Sequence, residues 1–256
     1  MDYQFLVLQA LAEGPMVNPL DWCILDWLIP ATQRFESINL VRTEKGIKSD
    51  QARQPWIGSG LHYRMIEKLL RTFLAVPVPY DVGSKKNMLY STLEGSPAKI
   101  NWVKNTHLHL TLKFLGYTPE LSNSEVIDHI ETITRDIKPF NLTIEETGCF
   151  PIPERPRILW MGVTGDLKPL MNLVSSIERT MDGLGYPKTR QDYSPHITLA
   201  RVQYPQKWTP DVGLFLKSFY DPIDFPVDRV QFFSSELLPT GAVYTLLKSF
   251  PLGESI

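Results

Sequence analysis

The chain has 256 residues, of which 43% are apolar and 21% charged, with a formal net charge of −2. That balance supports a packed core and excludes a largely disordered chain. It also excludes the overall basicity of a protein that coats nucleic acid regardless of sequence, while leaving room for a local basic groove.

Residues 1–64 carry no clear hydrophobic period. Turn signals (Gly14-Pro15, Asn18-Pro19, Gly58-Ser59-Gly60) alternate with tryptophans and short apolar runs. Leu20 to Leu28 is compatible with a helical turn or two before Pro30, and residues 42–60 read as a polar linker. The run around Leu20 contains Asp21 and Asp26 and is far short of the ~20 apolar residues of a membrane span. The opening Met1-Asp2-Tyr3 lacks the basic start of a secretion signal. Two cysteines, Cys23 and Cys149, are too few for a disulfide framework or a thiolate zinc site. A reduced, cytoplasmic setting is expected.

From Met65 the character changes. Arg71 to Pro77 is an apolar strand closed by prolines. A polar loop is expected at 81–99, then strands at Ile100–Val103 and Leu108–Leu115, ending at Pro119. Ser122 or Ser124 is placed to cap a helix from Glu125 to Ile137, with Val126, Ile127, Ile130 and Ile133 on one stripe. Strands follow at Phe140–Ile144 and Arg157–Val163. A helix from Gly165-Asp166 to Met181 turns Leu170, Leu173, Val174 and Ile177 inward and stops at Gly183 and Gly185. His196–Val202 is a strand and Trp208–Phe219 a predicted helix. Asp228–Leu237 and Val243–Ser249 are strands joined by the turn Pro239-Thr240-Gly241. Short strands interspersed with helices, ending in a hairpin, predict an α+β fold with mixed or antiparallel sheet.

The most informative feature is a repeat. His109-Leu110-Thr111-Leu112 is matched 87 residues later by His196-Ile197-Thr198-Leu199. Strand side chains alternate faces, so His109 shares a face with Thr111, and His196 with Thr198, while the aliphatic residues between face the core. Two strand–helix units related by a pseudo-twofold axis would set the two His-x-Thr faces across one groove. Two imidazoles flanking an oxyanion suit phosphoryl transfer: one neutral ring takes a proton from water while the other, protonated, gives one to the leaving oxygen. With an ordinary pKa near ~6.5, histidine supplies both states around neutrality. Two threonine hydroxyls can hold the non-bridging oxygens. A metal site is the rival functional reading, but two histidines alone are a thin ligand set. His107 is read as a rim or structural residue, His129 as a solvent-facing helix residue, and His62 has no assigned role. By simple alternation Lys113 shares the face of His109 and Thr111, and Phe114 packs inward.

Ile100-Asn101-Trp102-Val103 with Leu108 to Gly116, and Ser194-Pro195-His196 to Arg201, resemble the two motif regions of the two-histidine (2H) phosphoesterases. The branch they resemble is the RNA 2′,3′-cyclic phosphodiesterases, also called 2′-5′ RNA ligase-like proteins. Arg71 to Val76, Phe150-Pro151 to Trp160, and Ser234-Ser235 through Gly241 to Tyr244 match that branch as well, so the likeness covers about residues 66–256. It implies a bilobal fold of two pseudo-symmetric lobes, mostly antiparallel sheet with helices outside and a central active-site cleft. It also implies His109 as proton donor to the ribose 3′ oxygen, His196 as proton acceptor from water, a 2′-phosphomonoester product, and Thr111, Thr198 and Arg201 on the phosphate. Arg201 lies five residues after His196, so a regular strand would aim it at the opposite face; contact with substrate requires a bulge or a strand end. An aromatic wall for the base is implied too, with Tyr193, Phe150 and Trp160 as candidates. No metal or organic cofactor is implied.

The resemblance sets the domain at 65–256 and leaves 1–64 as an N-terminal extension: either a start assigned upstream of Met65, with which its turn-rich, unpatterned composition agrees, or a real segment, a reading that Trp22, Trp27 and Trp56 keep open. The expected substrate is RNA with a 2′,3′-cyclic phosphate end, or a cyclic nucleotide, acted on by a monomer without membrane attachment. The reverse reaction, 2′-5′ RNA ligation, and a non-catalytic RNA- or nucleotide-binding module are the rival functions.

Overall fold

Leu69–Pro77 (β1) is buried on both faces from Thr72 to Val76, which is why it reads as a nearly continuous apolar run: it is an inner strand, covered on each side. The computed structural model describes residues 68–205, 207–238 and 241–253. The expectations for residues 1–64, and for Pro239 and Thr240 of the hairpin turn, lie outside the described residues.

In chain order the remaining elements are α1 (Asp81–Tyr90), β2 (Ile100–Trp102), β3 (His109–Pro119), α2 (Asn123–Arg135), β4 (Phe140–Phe150), β5 (Ile158–Gly165), α3 (Leu167–Gly183), β6 (His196–Val202), the single turn α4 (Gly213–Leu216), β7 (Ile223–Val227), β8 (Arg229–Leu238) and β9 (Gly241–Pro251). Their strands form one sheet in the order β7-β4-β5-β6-β3-β1-β8-β9, with β2 also paired to β6. Every neighbouring pair is antiparallel. Reading outward from β3 and β6, the halves match: each motif strand pairs with an antiparallel partner (β1 or β5), then a second (β8 or β4), then an edge strand (β9 or β7). The fold is α+β, and the two copies of the repeat sit at its centre.

One apolar cluster covers a single face of this sheet. Leu110, Leu112, Ile197 and Leu199 from the motif strands pack with Val126 and Ile130 of α2 and Leu170, Leu173, Val174 and Ile177 of α3. Truncating a side chain there, Leu110→Ala for example, would cost about 2–5 kcal/mol. The opposite face of the central strands carries His109, Thr111, His196 and Thr198 with aromatic side chains around them.

Three local expectations change. The predicted loop at 81–99 contains helix α1. Its inward stripe is Val82, Lys86 and Leu89, and the buried lysine, donating from Nζ to the Val103 carbonyl at 2.7 Å, hides the apolar period. The predicted helix at 208–219 shrinks to one turn: within Gly213–Leu216 only Phe215 is buried, and Leu214 and Phe219 are exposed, so no continuous apolar face runs through the segment. Helix α2 starts at Asn123, two residues ahead of the expected Glu125, and Ser122 at its N-cap makes no side-chain capping bond. The end of α3 follows expectation: Gly185 has φ +90°, and the Tyr186 N–H reaches back to the Met181 carbonyl at 2.9 Å.

Candidate active site

β3 and β6 meet at one registered pair, Leu110 opposite Ile197, both fully buried on the core face. The residues flanking that pair therefore emerge on the other face, where His109, Thr111, His196 and Thr198 are all half-buried. Continuing the antiparallel register sets His109 beside Thr198 and Thr111 beside His196. The two imidazoles then lie on a diagonal, where Cβ atoms are typically ~7–8 Å apart. Among the described residues neither threonine hydroxyl has a protein partner, so both are open to the oxygens of a ligand.

The two rings are held in the same way. His109 donates from Nδ1 to the His107 carbonyl at 2.7 Å, and His196 donates from Nδ1 to the Ser194 carbonyl at 2.7 Å. Each acceptor lies two residues upstream of its histidine. A carbonyl can only accept, so Nδ1 carries the proton in both neutral rings and Nε2 is left for chemistry. His107 thus serves through its backbone; it lies in a short 3-10 turn ahead of β3, its ring packed on Tyr244 at 4.7 Å. His129 is exposed on α2, as expected.

Both motif strands bulge at the same place. Between β5 and β6, Leu159 faces Ala200 and Trp160 faces Thr198, so Leu199 is the extra residue; between β1 and β3, Leu74 faces Lys113 and Ala75 faces Thr111, so Leu112 is. Leu199 and Ala200 are consecutively buried, as are Leu112 and Lys113. Each bulge advances the alternation by one residue. Arg201 consequently returns to the face of His196, close enough that its charge lowers the pKa of both histidines. In the first motif the same bulge reverses the simple alternation. Lys113 is buried on the core side, paired with Glu178 of α3 at 2.6 Å, and Phe114 is 52% exposed on the site side. Phe114 occupies the place in the first repeat that Arg201 holds in the second, each five residues after its histidine.

Aromatic side chains enclose both histidines. His109 lies 5.0 Å from Phe73 and edge-on to Tyr244 at 5.6 Å; Phe233 stacks on Phe73 at 5.3 Å. His196 lies edge-on to Phe150 at 5.1 Å and 6.3 Å from Trp160. The Trp160 ring crosses β4 at Gly148, where a Cβ would stand 2.1 Å from the indole; glycine is required there. Of the three wall candidates, Phe150 and Trp160 line the site, whereas Tyr193 donates its hydroxyl to the Thr111 carbonyl at 2.8 Å. Phe73 and Phe233 carry no sequence signal of their own for the site, and Phe114, expected to pack inward, faces the site instead. Alternation from Phe73 in β1, paired with Phe114, gives them away only once the bulge is known.

Burial among these rings disfavours the imidazolium, and Arg201 adds repulsion. His109 is lowered to about 4, with backbone hydrogen bonding opposing the shift, and His196 is lowered for the same reasons. Between pH 6.5 and 4 the unfolded chain therefore binds more protons than the folded one, so stability falls as pH falls through that window and levels off below it. His109 alone is worth about 3 kcal/mol over the window. His109→Gln should flatten the decline in urea unfolding free energy between pH 6.5 and 4.5; a decline as steep as that of the unaltered protein would show that His109 is not held neutral by the fold.

Among the described residues, no group of three or more His, Cys, Asp or Glu side chains is arranged to hold a metal ion. No described helix is long and apolar enough to cross a membrane.

The family model for the 2′-5′ RNA ligase superfamily matches residues 94–237, a span that includes both His-x-Thr motifs and Arg201. The chain belongs to the 2′-5′ RNA ligase superfamily. A Thermotoga maritima protein named RNA 2′,3′-cyclic phosphodiesterase is 32% identical over 179 residues, covering 70% of this chain and 93% of its own. A Thermus thermophilus protein of the same name is 31% identical over 190 residues, covering 72% and 90%. Among solved structures, a Thermus thermophilus protein superposes with a TM-score of 0.59 at 26% identity, over 72% of this chain and 98% of that one. Escherichia coli LigT complexed with 3′-AMP shares the superfamily fold with a TM-score of 0.54 at 21% identity, over 73% and 99%.

Proposed function

We propose that this superfamily member hydrolyses 2′,3′-cyclic phosphate, at an RNA end or on a nucleotide, to a 2′-phosphomonoester. The observation that carries the reading is the matched pair of imidazoles on one sheet face. Each is anchored through Nδ1 and opens Nε2 to the cleft, and each has a threonine of the other strand beside it.

The cyclic phosphate sits between the rings, its non-bridging oxygens on the Thr111 and Thr198 hydroxyls and the Arg201 guanidinium. Nε2 of neutral His196 takes a proton from water as the water oxygen bonds to phosphorus. The bond from phosphorus to the ribose 3′ oxygen breaks, and protonated His109 delivers the Nε2 proton to that oxygen. The 2′ ester stays intact, and protons return through solvent. The rings are held alike, so the donor and acceptor roles come from the family likeness rather than from geometry. The low pKa of His109 makes it a strong acid once protonated.

The pH dependence follows. Productive free enzyme carries one proton on the histidine pair, and both pKa values lie below the ordinary 6.5. The kcat/KM profile is therefore a bell peaking on the acid side of 6.5. A bound phosphate anion offsets the Arg201 repulsion and favours the imidazolium, so the kcat profile peaks at higher pH. Initial rates between pH 4.5 and 9 check this; coincident profiles would contradict it.

The working unit is residues 65–256, a monomer whose cleft lies within one chain, in the reducing cytoplasm, and residues 1–64 are an N-terminal extension to it. A short RNA ending in 2′,3′-cyclic phosphate, incubated with the full chain in EDTA, tests the function. Turnover supports it. Tight binding without turnover would favour a binding module, and joining of RNA halves faster than hydrolysis would favour ligation.

A further inference from the structure

The relative position of the two imidazoles is not secured by the sheet. β1 and β3 share nine registered pairs and β5 and β6 five, but β3 and β6 share one. Beyond that pair the β6 edge is taken over by β2, which pairs at 200–202, and by the Val103 N–H donating to the Leu199 carbonyl at 2.8 Å. Among the described residues, the β3 edge has no second strand to receive it. Side chains close it instead. The Tyr193 hydroxyl donates to the Thr111 carbonyl at 2.8 Å, three residues before His196 on one side and two after His109 on the other.

A second tie runs along the core face. Buried Lys113 donates to the Pro187 carbonyl at 2.9 Å and pairs with Glu178 at 2.6 Å. Glu178 in turn accepts from the Thr189 hydroxyl at 2.7 Å and the Thr189 N–H at 3.2 Å. Residues 187–195, the segment leading into His196, are thus fastened to the strand bearing His109 at Thr111 and at Lys113. The same bulge that sends Phe114 to the cleft sends Lys113 to this anchor.

We infer that Tyr193 and the Lys113–Glu178–Thr189 cluster are positioning residues, forming a strut that sets the spacing of His109 and His196 across a seam of one strand pair. The inference rests on the proposed two-histidine hydrolysis. Displacements near 1 Å in a reacting pair cost rates on the order of 100-fold, so a single bond at the seam has leverage on turnover.

Tyr193→Phe removes one oxygen and keeps the ring. It is expected to lower kcat about 10- to 100-fold on an RNA 2′,3′-cyclic phosphate, with KM within about threefold and thermal stability near that of the unaltered chain. The imidazole 15N resonances of both His109 and His196 should shift. Thr189→Val, which loosens the second tie, should move the same readouts in the same direction, and serves alone if Tyr193→Phe does not fold. Full kcat with unmoved imidazole resonances in a folded variant would overturn the strut, as would a kcat loss with both resonances unmoved. Histidine shifts in Tyr193→Phe, when the unaltered chain fails to turn over cyclic phosphate, would keep the strut and overturn the functional reading instead.

Discussion

Alanine in place of either His109 or His196 is expected to lower kcat on a 2′,3′-cyclic phosphate by roughly 10²–10⁴-fold, the usual worth of a positioned general acid or base. The double variant should be little worse than either single one, because the two rings act on one step. The fold should survive, since neither ring is in the apolar cluster. The two single variants separate on a substrate with a better leaving group. A nucleoside p-nitrophenyl phosphodiester releases an anion that needs no proton. His109→Ala should recover much of its rate on that substrate, and His196→Ala should not, because attacking water still lacks its base. Recovery in the opposite variant would exchange the two roles. Near-full activity of either variant on the cyclic phosphate would remove the two-histidine mechanism.

Arg201→Ala carries the second large effect. Burial is the main reason both histidines are lowered, and the guanidinium is a charge that adds to it at each, the bulge at Leu199 aiming it into their face. Loss of one preorganised donor to a developing oxyanion costs about 10²–10³-fold in kcat. Loss of its repulsion also raises both imidazole pKa values, so the kcat/KM bell should move toward neutral pH as its height falls. Arg201→Lys keeps the charge and loses the planar fork, so it should restore the position of the bell better than its height. An Arg201→Ala bell unmoved along the pH axis would mean that the guanidinium does not face the histidines in solution.

The halves of this molecule differ in how far they can be read from sequence. The His-x-Thr repeat survives folding unchanged because its logic is local: two aliphatic residues seek the core, and alternation places the residues between them on the other face. The bounds of β6, the inward stripe of α3 and the final hairpin follow from equally local patterns. The condition for Arg201 to join the site, an added residue in the strand, was also visible as a parity argument.

What alternation missed was the matching bulge in the first motif. Nothing in Leu112-Lys113-Phe114 marks the slip; it is imposed by pairing with β1, a strand distant in sequence. Lys113 and Phe114 were therefore assigned to each other's faces. Helix α1 was hidden for a related reason, since buried Lys86 is held by a carbonyl of another segment. The aromatic enclosure of His109 escaped because Phe73, Phe233 and Tyr244 come from three strands that only the sheet order brings together.

The most direct test of the two-histidine assignment is phosphorus NMR of the product formed from a short RNA 2′,3′-cyclic phosphate by the full chain in EDTA. A 2′-phosphate as the sole product is expected, because it requires the 3′ oxygen to leave on the His109 side without a metal ion. A 3′-phosphate would contradict the account: the same histidines would then expel the 2′ oxygen, and the roles given to His109 and His196 would have to be rebuilt around the opposite seating of the ribose.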